Sequence, residues 1–223
     1  MPIQLNFSAV WSEWPLLVHG VLWTLGLTAI SAMGGLLLGT VCAWVRTQGP
    51  KAARQGAGLY VELFRNTPFI VQLFFIFFGL PALGIRMSPE WSSVLALVIN
   101  LGAYSAEIIR AGIVNTPAGQ IEAAESLALS RSQVFIWVVL PPALQKVWPA
   151  LVSQIIIVML GSAVCGQIST PELSYAANLI QSRNFRSFEA FIIATGLYLI
   201  LSIATRHVLN ALARRFLWGG RHG

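Results

Sequence analysis

The polar and charged side chains inside long apolar stretches are where this sequence could do chemistry. One stretch contains Asn100, Tyr104, Glu107 and Arg110. If it crosses a membrane, Glu107 needs a partner, because an isolated charge at the bilayer centre costs at least ~2.5 kcal/mol. Glu107 and Arg110 are three residues apart on a predicted helix, where they could form an ion pair. The alternative is that Glu107 takes part in gating or in substrate passage.

Polar residues within the apolar stretches also form a candidate lining for a substrate pathway or gate. This set comprises Asn100, Tyr104, Glu107, Ser153, Gln154 and Ser162. Such side chains can instead make hydrogen bonds between membrane helices, each worth about 1 kcal/mol. Both interpretations are compatible with the sequence.

Catalytic chemistry has little support in this chain. The sequence has no aspartate, and its histidines, His19, His207 and His222, fall at predicted helix ends or in the tail. It has no Gly-x-Ser-x-Gly elbow, no His-Glu-x-x-His pair and no cluster of metal ligands. The sequence therefore predicts that the chain is not an enzyme and has neither a catalytic residue nor a metal or cofactor site.

Composition points to a membrane protein. Hydrophobic residues make up 56% of the chain and charged residues only 10%, against about 25% charged residues in soluble domains. Five apolar stretches, at roughly 16–45, 61–83, 92–114, 147–168 and 189–212, reach the length of about 20 residues that a spanning helix needs. They are continuous rather than alternating, which disfavours a β-barrel. The predicted fold is an all-α polytopic membrane protein with about five spans, or six if the first stretch divides.

Basic residues predict the orientation. With the N-terminus outside and five spans, eleven of the fourteen lysines and arginines lie on the inner side, leaving Arg86, Arg183 and Arg186 outside. The positive-inside rule favours this N-out, C-in arrangement. It divides the chain into an extracytoplasmic or interfacial segment (1–15), a membrane domain (16–215) and a cytoplasmic tail (216–223). The basic balance reflects this asymmetry, so nucleic-acid binding is not expected.

A polar segment rich in small residues separates the third and fourth spans. Thr116 and Pro117 predict a helix start, with threonine as the N-cap. Ser130 and Gln133 form a capping-box pattern, so a second helix should begin at Ser130. We expect two short helices that project from the inner face, with Glu122 beside small alanines as a surface for another protein.

These residues resemble the coupling motif of permease subunits of ATP-binding-cassette importers, of the type I fold. The motif residues here are Glu122, Ala123, Ala124 and Ala128, with Leu140 and Pro141 ending the segment. Further segments resemble the polar amino-acid branch of that family: Glu62-Leu-Phe-Arg-Asn-Thr-Pro68, Val71-Gln72, Phe78-Gly79-Leu80-Pro81, Gly102-Ala-Tyr104, Glu107-Ile-Ile-Arg110-Ala-Gly112-Ile, Gly119-Gln120 and Pro171-Glu172-Leu173. The usual pattern has glycine where this chain has Ala128. It often has a lysine and an acidic or polar residue where this chain has Leu160 and Gly161.

The resemblance implies a function and a set of partners. The chain would be the permease subunit of an ATP-driven importer in a bacterial cytoplasmic (inner) membrane. It would pair with a second copy or a related permease, with a cytoplasmic ATPase dimer and with an extracytoplasmic amino-acid-binding protein. ATP and Mg would bind the ATPase, since this chain has no Gly-x-x-x-x-Gly-Lys-Ser/Thr loop. A stand-alone secondary transporter or channel is the alternative, although Glu107 is its only candidate ion-coupling carboxylate.

Overall fold

The computed structural model describes residues 5–217, and within that range the regular structure is helical. The α-helices are α1 (Ser8–Trp11), α2 (Trp14–Gln48), α3 (Lys51–Arg65), α4 (Phe69–Phe74), α5 (Pro89–Val114), α6 (Ala118–Ser126), α7 (Arg131–Gln133), α8 (Leu140–Gly161), α9 (Leu173–Asn184) and α10 (Ser187–Phe216). A π-helical segment, Phe75–Gly79, and a 3₁₀ segment, Leu80–Leu83, extend α4. A second π-helical segment, Val134–Val139, joins α7 to α8, and the 3₁₀ segment Ser162–Ile168 follows α8.

Four continuous helices within residues 5–217 are long and apolar enough to cross a membrane, and a bent pair makes a fifth candidate. The four are Trp14–Gln48, Pro89–Val114, Arg131–Ile168 and Ser187–Arg215. The first predicted stretch is one unbroken helix of 35 residues, so the six-span alternative was wrong. The fourth span begins at Arg131 rather than near 147, because the π-helical segment keeps the chain helical from α7 into α8.

The second predicted span, 61–83, is not one continuous helix. Lys51–Arg65 and Phe69–Leu83 meet at an angle of 110°. Pro68 lies at this break and cannot donate a backbone hydrogen bond, so the helix cannot continue through it unchanged. Asn66 and Thr67 donate from their side chains to the carbonyls of Glu62 and Leu63, four residues back. These contacts satisfy exposed carbonyl groups at the end of α3.

Small residues allow α2 and α5 to approach closely. A Cβ atom added at Gly39 would lie 2.6 Å from the Cβ of Ser105, and one added at Gly35 would lie 2.7 Å from Leu101 Cγ. The spacing of four residues between Gly35 and Gly39 therefore allows close helix packing. Further along α5, a Cβ at Gly112 would lie 2.9 Å from the carbonyl oxygen of Ala143 in α8. α5 thus packs closely against both α2 and α8.

The outer faces of the long helices expose large apolar side chains. On α2, Met33 is 76% and Leu37 68% exposed, and on α10 Leu199 and Ile200 are similarly exposed. Contiguous apolar surface of this kind needs lipid or another membrane protein to cover it. The structure therefore fits a multi-pass membrane protein.

Candidate functional site

A cleft of about 400 Å³ opens where the helix break faces α5 and the end of α8. Its walls are formed by Thr67, Pro68, Phe69, Leu97, Asn100, Tyr104, Gln154, Ile157, Val158, Gly161 and Val164. Asn100, Tyr104 and Gln154 of the predicted pathway set are brought together here. Gly161, where the family resemblance predicts an acidic or polar residue, is also part of the wall, and a Cβ there would meet open space.

The other three residues of the predicted pathway set lie outside this cleft. Ser153 donates to the carbonyl of Pro149, and Ser162 donates to the carbonyl of Met159, each on its own helical stretch. Their hydroxyls therefore satisfy the backbone of a proline-containing helix and of its 3₁₀ end. For these two serines the expectation of a pathway lining does not match the geometry of the cleft. Glu107 lies one turn beyond Tyr104 and belongs to a separate charged cluster.

Two buried amides connect the helix break to the cleft. Gln72 Nε2 donates to the carbonyl oxygens of Phe64 (2.8 Å) and Thr67 (3.0 Å) and contacts Thr67 Oγ1 at 2.9 Å. Gln72 Oε1 accepts from Asn100 Nδ2 at 2.9 Å. Sequence reasoning assigned no role to Gln72, because no spacing rule links residue 72 to residue 100.

Glu107 is the centre of a cluster of three arginines. Arg110 donates to it from the same helix, as the three-residue spacing predicts. Arg46 of α2 lies 2.5 Å from Glu107 Oε2, and Arg65, the last residue of α3, lies 3.9 Å from the same oxygen. The cluster therefore joins α2, α3 and α5. Sequence reasoning missed Arg46 and Arg65 because they are distant in the chain; their signal was a basic residue at the same end of each helix.

The charged cluster borders the cleft through Tyr104. The guanidinium of Arg65 lies 5.6 Å from the centre of the Tyr104 ring, a distance suited to a cation–π contact. The Tyr104 hydroxyl donates to the carbonyl oxygen of Arg65 at 3.4 Å. One positively charged side chain thus lies directly behind an aromatic wall of the cleft.

The segment between the third and fourth spans forms α6, which presents a small exposed surface. Glu122, Ala123 and Ala128 are exposed, and Leu127 is 76% exposed. Ala124 faces inward instead, being 4% exposed and part of an apolar cluster with Val134, Phe135 and Ile113. The expectation that Ala124 belongs to an outward contact surface was therefore wrong. Its methyl group holds α6 against the helix that follows.

The ends of this segment differ from the prediction in two further respects. The N-cap of α6 is Pro117 rather than Thr116, and no side chain caps it. Ser130 and Gln133 do form a capping box, but the helix that begins there runs on to Ile168. There is consequently one short helix and not two. Leu140 and Pro141 lie inside the long helix and do not end the α6 surface.

Ala128 has a left-handed backbone, with φ of 57°. This is the position at which the resemblance to the coupling motif predicts glycine. A residue with a Cβ pays roughly 1–2 kcal/mol for this conformation. The turn from α6 to the next helix therefore keeps the shape that glycine favours, and it does so under local strain.

A second glutamate, which sequence reasoning left without a site role, organises the opposite end of α5. Glu172 is fully buried and accepts from the backbone N–H groups of Ser174 (2.9 Å) and Tyr175 (2.7 Å) and from the Tyr198 hydroxyl (2.5 Å). It thereby caps α9 and ties it to α10. Burial raises the pKa of the Glu172 carboxyl above its ordinary value. The nearby Thr170 hydroxyl lies 3.2 Å from the carbonyl oxygen of Pro89, the first residue of α5.

Comparison with known proteins gives the class of this chain. It belongs to the family described as the binding-protein-dependent transport system inner membrane component, which matches residues 35–218. It is 34% identical over 215 residues to the glutamine transport system permease protein GlnP of Escherichia coli, covering 96% of this chain and 98% of that protein. It is 33% identical over 205 residues to the L-cystine transport system permease protein TcyB of Bacillus subtilis, covering 92% and 88%.

Solved structures agree with this class. A crystal structure of an amino acid ABC transporter with histidines superimposes with a TM-score of 0.84 at 34% identity, covering 96% of this chain and 100% of that chain. An inward-facing structure of the MetNI methionine ABC transporter gives a TM-score of 0.67 at 22% identity, covering 93% and 99%. The second comparison concerns the fold alone. The predicted permease fold is confirmed, and the chain is a multi-pass membrane component of a transport system.

Proposed function

We propose that this chain is the permease subunit of an ATP-driven importer and that a polar amino acid passes through the cleft between α4, α5 and α8. The observation that carries the proposal is the amide-lined cleft at a helix break, in a fold shared with an amino acid ABC transporter. Relatives that transport glutamine, L-cystine and arginine support the substrate class. The chain provides the passage and contributes no catalytic step.

The same reasoning supplies the partners. A second copy or a related permease completes the membrane unit, and an extracytoplasmic binding protein delivers the amino acid. ATP and Mg bind a separate cytoplasmic ATPase dimer. The relatives named above come from bacteria, which supports a bacterial cytoplasmic membrane as the location. The distribution of basic residues supports the N-out, C-in orientation.

The exposed face of α6 is the proposed contact with the ATPase. Glu122, Ala123, Leu127 and Ala128 provide a charge beside small and apolar groups. Ala124 joins α6 to the helix Arg131–Ile168, and Gly161 and Gln154 on that helix form part of the cleft wall. A displacement of α6 would therefore reach the cleft through one continuous helix, which is the proposed coupling route.

The test is reconstitution of the permease with its ATPase and binding protein in lipid vesicles. Glu122→Arg should abolish both copurification of the ATPase and ATP-driven amino-acid uptake. Glu62→Arg is the matched control, because Glu62 is also an exposed glutamate on a short helix, away from α6. Uptake that needs only an ion gradient and no ATPase would overturn the importer proposal and favour the stand-alone transporter.

A further inference from the structure

The orientation of the Gln72 amide is set by groups that cannot change their polarity. Two of its contacts are backbone carbonyl oxygens, those of Phe64 and Thr67. A carbonyl oxygen only accepts hydrogen bonds, so the NH₂ end of Gln72 must point toward the helix break. The amide oxygen of Gln72 therefore has to face the opposite direction, where Asn100 lies.

This orientation determines which end of Asn100 faces the cleft. Because Gln72 presents an oxygen, Asn100 must use its own NH₂ group for the contact, which measures 2.9 Å. Among the described residues, none donates a hydrogen bond to Asn100 Oδ1. This oxygen is also not one of the fully buried side-chain atoms that lack a hydrogen-bond partner. Asn100 is part of the cleft wall. The cleft consequently presents a hydrogen-bond acceptor at a fixed position.

The rest of the wall is electrically neutral. Among residues 5–217, the side chains that form it include no lysine, arginine, aspartate or glutamate. Gln154 contributes a second amide to the wall, and no described residue forms a hydrogen bond with it. Behind the wall, the Arg65 guanidinium lies over the Tyr104 ring, 5.6 Å from its centre. A charged side chain entering this cleft would lose water without meeting an opposite charge, which is costly.

We propose that Gln72 and Asn100 act together as a specificity device that selects amino acids with an uncharged, hydrogen-bonding side chain. Asn100 Oδ1 accepts an N–H group of the cargo, and Gln72 is a positioning residue that keeps this oxygen turned toward the cleft. Gln154 supplies an adaptable amide for the remaining polar atoms of the cargo. This proposal rests on the proposed function, because it assumes that the cleft is the substrate route.

The experiment measures equilibrium binding of radiolabelled L-glutamine, L-glutamate and L-arginine to the purified permease–ATPase complex. The binding protein is left out, so that its own specificity does not enter. The native complex should bind L-glutamine at least tenfold more tightly than the two charged amino acids. Asn100→Leu should weaken L-glutamine binding by roughly tenfold, the effect of one lost hydrogen bond. Asn100→Asp should shift the preference toward L-arginine, because it places a carboxylate in the wall.

A double-variant comparison separates positioning from a structural role of Gln72. If Gln72 acts through Asn100, Gln72→Leu should weaken L-glutamine binding in the native background and have no further effect in Asn100→Leu. Gln55→Leu, which removes an exposed amide on α3, is the control and should bind like the native complex. Additive effects of the two variants would overturn the positioning role.

Three other outcomes would overturn the specificity proposal. The first is that the native complex binds L-arginine or L-glutamate as tightly as L-glutamine. The second is an unchanged dissociation constant for L-glutamine in Asn100→Leu, and the third is failure of the native complex to bind any of the three amino acids. ATP-driven uptake by the fully reconstituted native complex is measured in parallel. Uptake without the expected binding pattern would leave the importer function standing and remove only the specificity device.

Discussion

Two glutamates near opposite ends of α5 are stabilised in different ways. Glu107 is partly exposed and is matched by three arginines from three helices. Glu172 is fully buried, and its hydrogen-bond donors among the described residues are neutral, including two backbone N–H groups and a tyrosine hydroxyl. Salt weakens the attraction between charged groups near water, so such pairs rearrange at a small free-energy cost. A buried donor that is left without an acceptor costs much more free energy. The Glu107 end is therefore suited to movement and the Glu172 end to a fixed structure.

This difference fits the positions of the two clusters. The Glu107 cluster adjoins the helix break through Arg65 and the cleft through Tyr104. The Glu172 cluster joins α9 to α10, and it also adjoins Thr24 of α2, whose hydroxyl accepts from the Leu173 N–H at 3.2 Å. One end of the molecule would thus act as an anchor for the other. The following predictions test this contrast in order of expected size.

The largest effect is expected from removing the buried carboxylate. Glu172→Leu would leave two N–H groups and the Tyr198 hydroxyl without an acceptor, at a cost of about 3 kcal/mol or more. In a chain of this size the temperature of thermal inactivation in detergent should fall by roughly 6–12 °C. Glu62→Leu, at an exposed site, should change it little. A similar temperature for both variants would remove Glu172 as an anchor.

A smaller effect is expected at Glu107, because its site is partly exposed to solvent. Glu107→Gln should destabilise the protein by about 1–2 kcal/mol, since the three arginines then face a neutral amide. High salt should reduce the difference from the native protein in the same thermal assay. It should leave the effect of Glu172→Leu unchanged. If the stability loss caused by Glu107→Gln did not depend on salt, the proposed contrast between the two ends would be wrong.

A charge swap sharpens the interpretation of the Glu107 cluster. If the pair with Arg110 were the whole interaction, Glu107→Arg combined with Arg110→Glu would restore stability. Arg46 and Arg65 lie within 4 Å of the same carboxylate, so the new arginine would face two like charges. We expect the swap to be no more stable than Glu107→Gln in thermal inactivation. Full recovery would show that Arg46 and Arg65 contribute nothing.

The Glu172 end should also respond to pH. Burial raises the pKa of this carboxyl in the folded protein, so the folded state holds the proton more tightly than the unfolded chain. The stability contributed by this group is then fully present below the unfolded pKa, about 4.3, and is lost as the pH rises through the folded pKa. The difference in inactivation temperature between the native protein and Glu172→Gln should therefore decrease with rising pH. An inactivation-temperature difference that increases with pH would contradict a raised pKa of Glu172 in the folded protein.

The sequence predicts local interactions well and tertiary ones poorly. The contact of Glu107 with Arg110 and the capping box at Ser130 follow from spacings of three residues, which helix geometry makes neighbours. The apolar stretches likewise predict the membrane helices by length. Arg46, by contrast, reaches Glu107 across 61 residues, and only the packing of α2 on α5 brings them together.

The buried faces of short helices and the angles between helices could not be predicted from the sequence either. The alanines of α6 look equivalent in the chain, yet Ala124 is buried because the following helix lies against that face. Pro68 lies at the helix break, but neither the 110° angle nor the hydrogen bond between Gln72 and Asn100 of α5 follows from a local sequence pattern. The specificity device was missed for the same reason, because its two amides meet only in the folded bundle.

The smallest expected effect concerns backbone strain, which both ends of the molecule share. Ala128 at the Glu107 end and Ser169 at the Glu172 end have left-handed backbones, with φ of 57° and 66°. Glycine relieves this conformation but has more freedom in the unfolded chain, so Ala128→Gly and Ser169→Gly should each stabilise by about 0.5–1 kcal/mol. Ala123→Gly, inside helix α6, should instead destabilise by about 1 kcal/mol. Thermal inactivation measures all three, and a loss of stability in Ala128→Gly would show that the turn after α6 is not strained. Equal gains at Ala128 and Ser169 would place the contrast between the two ends in their side-chain partners and not in their backbones.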